Sequence, residues 1–168
     1  MTTLVLMIGV PGSGKSTWIQ NRLTEKDVWV SRDTIRYCLL EEDDDYFAKE
    51  DEVIKLFINN VDNMLSKGFR YVYADATHLH PKGRAQLLNN LKTKPDSICA
   101  VYMDVPLNII LARNAQREGR ARVPEDVVRR MYNSVSLPTI NENINTLFFV
   151  NEDGEIDIDK TRVLKVVN

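Results

Sequence analysis

Short apolar runs alternate with segments of helical periodicity along the chain. The runs predict five buried strands, at residues 4–8, 28–31, 71–76, 98–103 and 147–150. Between them, apolar residues recur every three or four positions, which is typical of helices. Parallel strands need a crossover connection, usually a helix. The alternation therefore predicts an α/β fold in which a parallel sheet is covered by helices on both faces.

The end of the chain breaks this alternation. After the fifth run, the segment "EDGEIDID" contains a turn sequence followed by alternating residues. We expect an edge strand or hairpin at about 147–168. The chain has 168 residues and no low-complexity linker. One hydrophobic core can serve a chain of this length, so we expect a single domain over residues 1–168.

Composition narrows the class of protein. The hydrophobic fraction is 43% and the charged fraction 27%, which is ordinary for a globular protein. The net charge of −2 argues against a protein that coats nucleic acid, so any contact with a polyanion must be local. Cys38 and Cys99 lack metal-ligand spacing, and no apolar stretch approaches the length of a membrane span. We expect a cytoplasmic protein with no membrane partner.

The segment "GVPGSGKSTW" follows the first apolar run, and residues 9–16 match G-x-x-x-x-G-K-[ST]. Gly12 and Gly14 allow a tight turn whose backbone N–H groups point into a hollow of anion size. Lys15 would reach the β- and γ-phosphates of a nucleoside triphosphate, and Ser16 Oγ would bind Mg²⁺. We call residues 9–16 the phosphate loop. The predicted nucleotide-binding residues are Gly12, Ser13, Gly14, Lys15, Ser16 and Thr17.

Other parts of the chain limit the kind of nucleotide-binding protein. A regulatory GTPase would need an Asn-Lys-x-Asp segment, which the sequence lacks. A motor ATPase would usually need a larger body. Small phosphotransferases remain, in which a closing lid brings arginines onto the transferred group.

Two carboxylates follow predicted strands, where side chains meet at the carboxyl edge of the sheet. Asp33, in "SRDTIR", fits a general base, and it also fits an N-cap of the next helix. Arg36, on the same face, fits a substrate phosphate or a surface charge. Asp75 ends the third run and fits a ligand of metal-bound water, a partner that orients Arg36, or a turn residue. Thr77 fits a donor to a phosphate.

The segment "RNAQREGRARVPEDVVRR" holds six arginines in eighteen residues and no lysine. Arg113 and Arg117 are four residues apart, which predicts a shared helical face. Guanidinium groups match the oxygens of a phosphoryl group in transfer. The segment predicts an arginine-rich lid at about 113–123, with a solubilising arginine surface as the alternative.

With these residues assembled, the chain resembles the kinase half of phage polynucleotide kinase. The resemblance spans about residues 4–136, through "GVPGSGKSTW", "SRDTIR", "ADATHLHPKGR" and "DVPLNIILARNAQREGRARVPEDVVRRMYNS". It implies an adenylate-kinase-like P-loop fold. It also implies Mg²⁺-dependent transfer of the γ-phosphate of ATP to the 5′-hydroxyl end of DNA or RNA, in nucleic-acid end repair. The expected location then includes the cytoplasm of a phage-infected host.

Carried over residue by residue, the resemblance implies roles for the catalytic set Asp33, Lys15 and Arg117. Asp33 would activate the 5′-hydroxyl, and Arg117 would stabilise the transferring phosphoryl group. Arg113 would lie on the ATP side. The acceptor would contact Arg36, Asp75, Thr77 and Val123. In that set Arg36 would bind the next phosphate and Val123 would face the terminal base.

Two other functions fit the same motifs. A kinase of a nucleoside, sugar or antibiotic would bury its ligand in a deep, closed pocket. A non-catalytic ATP-binding adaptor would need neither Asp33 nor the lid. The sequence leaves DNA or RNA preference and donor selectivity open, and also protein partners, including a homo-oligomer.

Overall fold

The apolar runs form the strands of one six-stranded sheet in the computed structural model, which describes residues 1–166. The strands are β1 (Thr3–Ile8), β2 (Asp27–Ser31), β3 (Tyr71–Asp75), β4 (Ser97–Met103), β5 (Thr146–Val150) and β6 (Ile156–Val163). Their order is β2-β3-β1-β4-β5-β6, with β1 to β5 parallel and β6 antiparallel to β5. The prediction of a parallel sheet with an added edge strand is confirmed.

Within residues 1–166, six α-helices connect the strands: α1 (Lys15–Gln20), α2 (Arg32–Leu39), α3 (Glu50–Ser66), α4 (Pro81–Asn90), α5 (Leu107–Ala115) and α6 (Glu125–Asn133). Prolines mark three of their starts, because the first turn of a helix does not use its backbone N–H groups. Pro81 is the first residue of α4, whereas Pro106 and Pro124 precede α5 and α6. A 3₁₀ turn, Gly119–Ala121, lies between α5 and α6.

Apolar side chains cover both faces of the sheet. In β1, Leu4 and Leu6 belong to a buried cluster with α3, through Phe57. Val5 and Met7 point to the other face and join a second cluster, which includes residues of α1 and α5. Burial on both faces explains why β1 is a continuous apolar run instead of an alternating one.

The sheet brings the ends of β1, β2 and β3 together. The phosphate loop leaves the carboxyl end of β1, and β3 pairs with both β1 and β2. Ser31, at the end of β2, lies opposite Asp75 at the end of β3. In parallel sheets the crevice outside these ends is where ligands bind.

The predicted C-terminal hairpin is formed by β5 and β6. Residues 151–155 make the turn, in which Gly154 has a φ of +80°. The last two residues of the predicted hairpin, 167 and 168, lie outside the described residues. Within residues 1–166, no helix combines the length and the apolar character needed to cross a membrane.

Candidate phosphotransfer site

The phosphate loop has the backbone shape that its glycines predict. Gly12 and Gly14 have φ values of +87° and +94°, in the left-handed region that favours glycine. A Cβ at Gly12 would also lie 2.9 Å from the carbonyl oxygen of Ile110. Glycine is therefore required at position 12 by space as well as by conformation.

Lys15 is folded back over this loop. Its Nζ donates to the carbonyl oxygens of Gly9, at 2.8 Å, and Val10, at 3.2 Å. Burial lowers the pKa of Lys15, while the nearby charges of Asp75 and Asp33 raise it. The lysine thus lies at the loop with two carboxylates close enough to act on its charge.

Asp75 is the buried partner of Ser16. Its Oδ2 accepts hydrogen bonds from Ser16 Oγ, at 3.0 Å, and from the indole Nε1 of Trp29, at 3.1 Å. Burial raises the pKa of Asp75, against the opposing effects of Lys15 and these two donors. Asp75 therefore contacts the phosphate loop and not Arg36, so the interpretation that it orients Arg36 is wrong.

The Ser16–Asp75 pair fits Mg²⁺. This ion prefers oxygen ligands and commonly binds through one or two protein oxygens, with water and substrate phosphates completing the shell. A hydroxyl and a carboxylate stand 3.0 Å apart beside the loop. Among residues 1–166, no group of three or more His, Cys, Asp or Glu side chains could hold a metal by itself.

Asp33 lies in the first turn of α2, but it is not the helix cap. Ser31 fills that role, since its Oγ accepts the backbone N–H of Thr34 at 3.2 Å. The N-cap interpretation of Asp33 is therefore wrong. The Asp33 side chain is 60% exposed, and its Oδ1 accepts from Arg36 at 2.7 Å and from the Tyr46 hydroxyl at 2.8 Å.

Arg36 is buried, with 4% of its surface exposed, so the surface-charge interpretation is wrong. One terminal nitrogen donates to Asp33 and to the Tyr46 hydroxyl, and the other donates to Glu50 at 2.6 Å. Glu50 also pairs with Arg32. Burial lowers the pKa of Arg36, but the hydrogen bond to Glu50 and the adjacent carboxylates raise it by more, so the pKa is raised overall.

Sequence reasoning missed Glu50 and Tyr46. Tyr46 lies in the segment that connects α2 to α3, 10 residues beyond Arg36, and Glu50 lies 14 residues beyond Arg36. Glu50 is the first residue of α3, where an acid is also expected for helix stability. Its pairing with the arginines has no separate signal in the sequence.

The lid begins where α5 ends. Arg113 lies in the last turn of α5 and donates to the carbonyl of Glu152 at 2.9 Å. Its guanidinium is also 3.4 Å from the position of a Cβ at Gly14, so it stands beside the phosphate loop. The helix ends at Ala115, and Arg117 lies beyond it. The prediction that both arginines share one helical face is wrong, because the chain turns at Gln116.

Arg117 is exposed and donates to the carbonyl of Ala121 at 3.2 Å. Its charge still adds to the lowering of the Lys15 pKa, for which burial is the main cause. The contact of Arg117 with a transferring phosphoryl group stays a prediction.

The far end of the lid is pinned by Asn114. This buried side chain donates to the carbonyl of Val123 at 2.6 Å and accepts the Val123 N–H at 3.1 Å. The Val123 side chain is partly buried against the second core cluster. Its contact with a terminal base stays a prediction.

Arg120 joins the lid to the acidic run at residues 41–45, which we call the acidic loop. Its guanidinium donates to the carbonyl oxygens of Glu41, at 2.8 Å, Glu42, at 2.5 Å, and Asp44, at 3.1 Å. Two segments almost eighty residues apart in the chain thus meet beside the site.

Thr77 contributes its backbone to the site, since its carbonyl accepts the N–H of Gly9 at 3.1 Å. The next residue, His78, is buried and has a φ of +44°. A phosphate contact of the Thr77 hydroxyl stays a prediction.

A protein-family model described as "AAA domain" matches residues 4–138. The chain belongs to this family. Among curated relatives, the L-seryl-tRNA(Sec) kinase of Methanococcus maripaludis is 24% identical over 96% of this chain and 71% of its own length.

Solved structures with this fold include kinases. A chain in the structure of the Pnkp1/Rnl/Hen1 RNA repair complex is 20% identical, with a TM-score of 0.62, over 79% of this chain and 43% of that one. A gluconokinase from Sinorhizobium meliloti is 14% identical, with a TM-score of 0.55, over 89% of this chain and 82% of its own. This chain therefore spans less than half of the first protein. It has the P-loop kinase fold, which occurs with different acceptors, so the fold does not determine the acceptor.

Proposed function

We propose that this protein is a polynucleotide 5′-hydroxyl kinase that transfers the γ-phosphate of ATP to the 5′-hydroxyl end of DNA or RNA. The observation that carries the proposal is the exposed Asp33 carboxylate, which lies near enough to Lys15 for its charge to raise the Lys15 pKa against the lowering by burial. Asp33 follows β2, and Lys15 ends the loop that leaves β1, so both residues follow the carboxyl ends of parallel strands.

The donor is held by backbone and side-chain groups around the phosphate loop. Arg113 beside Gly14 supplies a cation on the ATP side, and Lys15 exchanges its two loop carbonyls for phosphate oxygens. The proposed ATP-binding residues are Gly12, Ser13, Gly14, Lys15, Ser16, Thr17 and Arg113. When bound, Mg²⁺ held by Ser16 with Asp75 supplies charge neutralisation at the phosphates.

Transfer follows from these positions. The acceptor oxygen forms a bond to the γ-phosphorus while the bond from that phosphorus to the bridging oxygen of ADP breaks, and the acceptor proton passes to Asp33. Among residues 1–166, the side-chain hydrogen bonds of Asp33 are made by Oδ1, so Oδ2 is available to take that proton. Lys15 and Arg117 stabilise the charge on the moving phosphoryl group.

The exposure of Asp33 favours an acceptor hydroxyl at the end of a long molecule. Asp33 lies on an open surface, whereas a small-molecule kinase buries most of its ligand in a closed pocket. A terminal hydroxyl needs only a local set of cations, which agrees with a net charge of −2. The resemblance to phage polynucleotide kinase assigns Arg36, Asp75, Thr77 and Val123 to this side.

The test is phosphate transfer from γ-labelled ATP to single-stranded 5′-hydroxyl DNA and RNA oligonucleotides. We expect labelled oligonucleotide from the wild type, and a loss of about 10²–10⁴-fold in kcat for Asp33→Asn, with ATP affinity retained. Asp51→Asn, an exposed carboxylate in the first turn of α3, is the matched control. Full activity of Asp33→Asn would contradict the proposal, as would ATP binding without any transfer, which is the behaviour of an adaptor.

A second candidate acceptor is the hydroxyl of an aminoacyl group on tRNA. The relative that favours it is the L-seryl-tRNA(Sec) kinase, which aligns with 96% of this chain. Seryl-tRNA, free nucleosides and gluconate therefore enter the same assay as competing acceptors. Preferential labelling of one of these over the oligonucleotides would replace the proposed acceptor.

A further inference from the structure

Tyr46 links the two acceptor-side residues of the proposed site. Its hydroxyl donates to Asp33 Oδ1 at 2.8 Å and accepts from Arg36 at 2.9 Å. The Arg36 guanidinium carbon also lies 4.3 Å above the centre of the Tyr46 ring. Tyr46 comes from the segment after the acidic loop, so this contact joins that segment to α2.

The phenol keeps its proton in this setting. Burial raises the pKa of Tyr46 well above its ordinary value, and the adjacent negative charge of Asp33 raises it further. Tyr46 therefore remains a hydrogen-bond donor to Asp33. A hydrogen bond to a carboxylate is also stronger than a hydrogen bond between two neutral groups.

Two donors thus meet at one oxygen of Asp33. Arg36 and Tyr46 both bond to Oδ1, and Arg36 is itself held by Glu50 at 2.6 Å. A carboxylate fixed at one oxygen has its other oxygen fixed in direction, which is what a base must have to meet a hydroxyl in transfer. We propose that Tyr46 is a positioning residue that turns Oδ2 of Asp33 toward the acceptor hydroxyl.

This inference rests on the proposed role of Asp33 as the base. It adds a residue from outside the motifs of the sequence. The charge of Asp33 also acts on Lys15, Arg36, Tyr37 and Asp75. Tyr37 provides the comparison, since it is a second phenol near Asp33, on α2, and 42% exposed.

Tyr46→Phe is the test, because it removes the hydroxyl and keeps the ring that stacks on Arg36. We expect kcat to fall roughly 10- to 100-fold, the effect of a lost hydrogen bond to a charged group, with KM for ATP unchanged. Tyr37→Phe should leave kcat within about twofold of the wild type. Thermal denaturation of both variants checks that the fold is kept. Equal activity of Tyr46→Phe and Tyr37→Phe would overturn the inference.

A double-mutant cycle separates positioning from a general structural role. If Tyr46 acts through Asp33, Tyr46→Phe has little further effect in an Asp33→Asn background, because the base is already absent. A structural role would instead give the same fold-loss in both backgrounds, which would also overturn the inference.

The two proposals fail in different ways. Full activity of Asp33→Asn rejects the base itself and the proposed function with it. A large loss in Asp33→Asn, together with wild-type activity in Tyr46→Phe, leaves the proposed function standing and rejects the role of Tyr46. The cycle can be run with whichever acceptor the wild type phosphorylates, since it concerns the base and not the identity of the acceptor.

Discussion

At the scale of single residues, His78 is a buried side chain next to the site, held by a backbone contact. Its Nδ1 lies 2.9 Å from the carbonyl oxygen of Met7. A carbonyl can only accept, so Nδ1 carries a proton and donates to Met7. Burial, together with the nearby cations Arg32 and Arg84, lowers the pKa of His78 to about 4. The φ of +44° is a conformation that Asn adopts more readily than most residues.

The lowered pKa makes stability depend on pH. An unfolded chain takes up a proton on this histidine near pH 6.5, whereas the folded chain does so only near pH 4. Above pH 6.5, His78 should therefore cause no loss in the free energy of unfolding. That free energy should fall by up to about 1.4 kcal/mol per pH unit toward pH 4. Urea unfolding of the wild type between pH 4 and 7.5 measures this slope, in steps of about half a unit.

His78→Asn should flatten the slope, because Asn fits the backbone conformation and does not titrate. The exposed His80 gives the matched control, since His80→Asn should keep the wild-type slope. The same pH dependence in His78→Asn as in the wild type would show that other groups cause it.

At the scale of elements, what could be predicted from sequence depends on how local the signal is. Each buried strand is a short apolar run, and the phosphate loop is one contiguous motif, so both were predicted. The lid was located by its arginines, but the end of α5 at Ala115 was not, since no Gly or Pro stands there. Nor could the sequence distinguish Arg120 from Arg122. Of these two arginines, only Arg120 contacts the acidic loop, because the fold brings distant segments of the chain together.

Arg120 should stabilise the acidic loop, because its guanidinium bonds three carbonyl oxygens there. Within the loop, the N–H of Glu41 donates to the Asp44 carboxylate at 2.9 Å, and the N–H of Asp44 donates to the carbonyl oxygen of Glu41 at 3.2 Å. Loss of the guanidinium should let these bonds open more often. We expect Arg120→Ala to speed hydrogen exchange of both amides at least about fivefold, which corresponds to about 1 kcal/mol.

Arg122→Ala is the matched control for this effect, since Arg122 is also exposed and lies beside Pro124 instead of the acidic loop. Exchange at Glu41 and Asp44 should stay at the wild-type rate in that variant. Equal acceleration by both substitutions would mean that the lid as a whole, and not the Arg120 contacts, protects the loop.

At the scale of the whole molecule, a buried ion pair joins α4 to the segment between α6 and β5. Arg84 is fully buried in α4 and bonds both carboxylate oxygens of Glu142, at 2.7 and 2.8 Å. It also donates to the carbonyl of His78, at 2.8 Å. The residue before His78 accepts the N–H of Gly9, so the pair supports the segment that the phosphate loop rests on. Sequence reasoning could not find it, because an arginine followed by "AQ" on a helix resembles a surface residue.

Arg84→Met should therefore destabilise the whole fold and not one segment. Removing one partner of a buried pair leaves an uncompensated charge, here Glu142, and typically costs about 3–5 kcal/mol. Arg129→Met is the control, since Arg129 pairs with Glu125 at a surface where both side chains are at least half exposed. Such a pair contributes about 0–1 kcal/mol.

Urea unfolding followed by both tryptophan fluorescence and circular dichroism measures the two losses. Coincident transitions at lower urea for Arg84→Met would show a global effect. A loss no larger than that of Arg129→Met would mean that water or a shifted side chain replaces the guanidinium, and that the pair does not hold the site to the rest of the sheet.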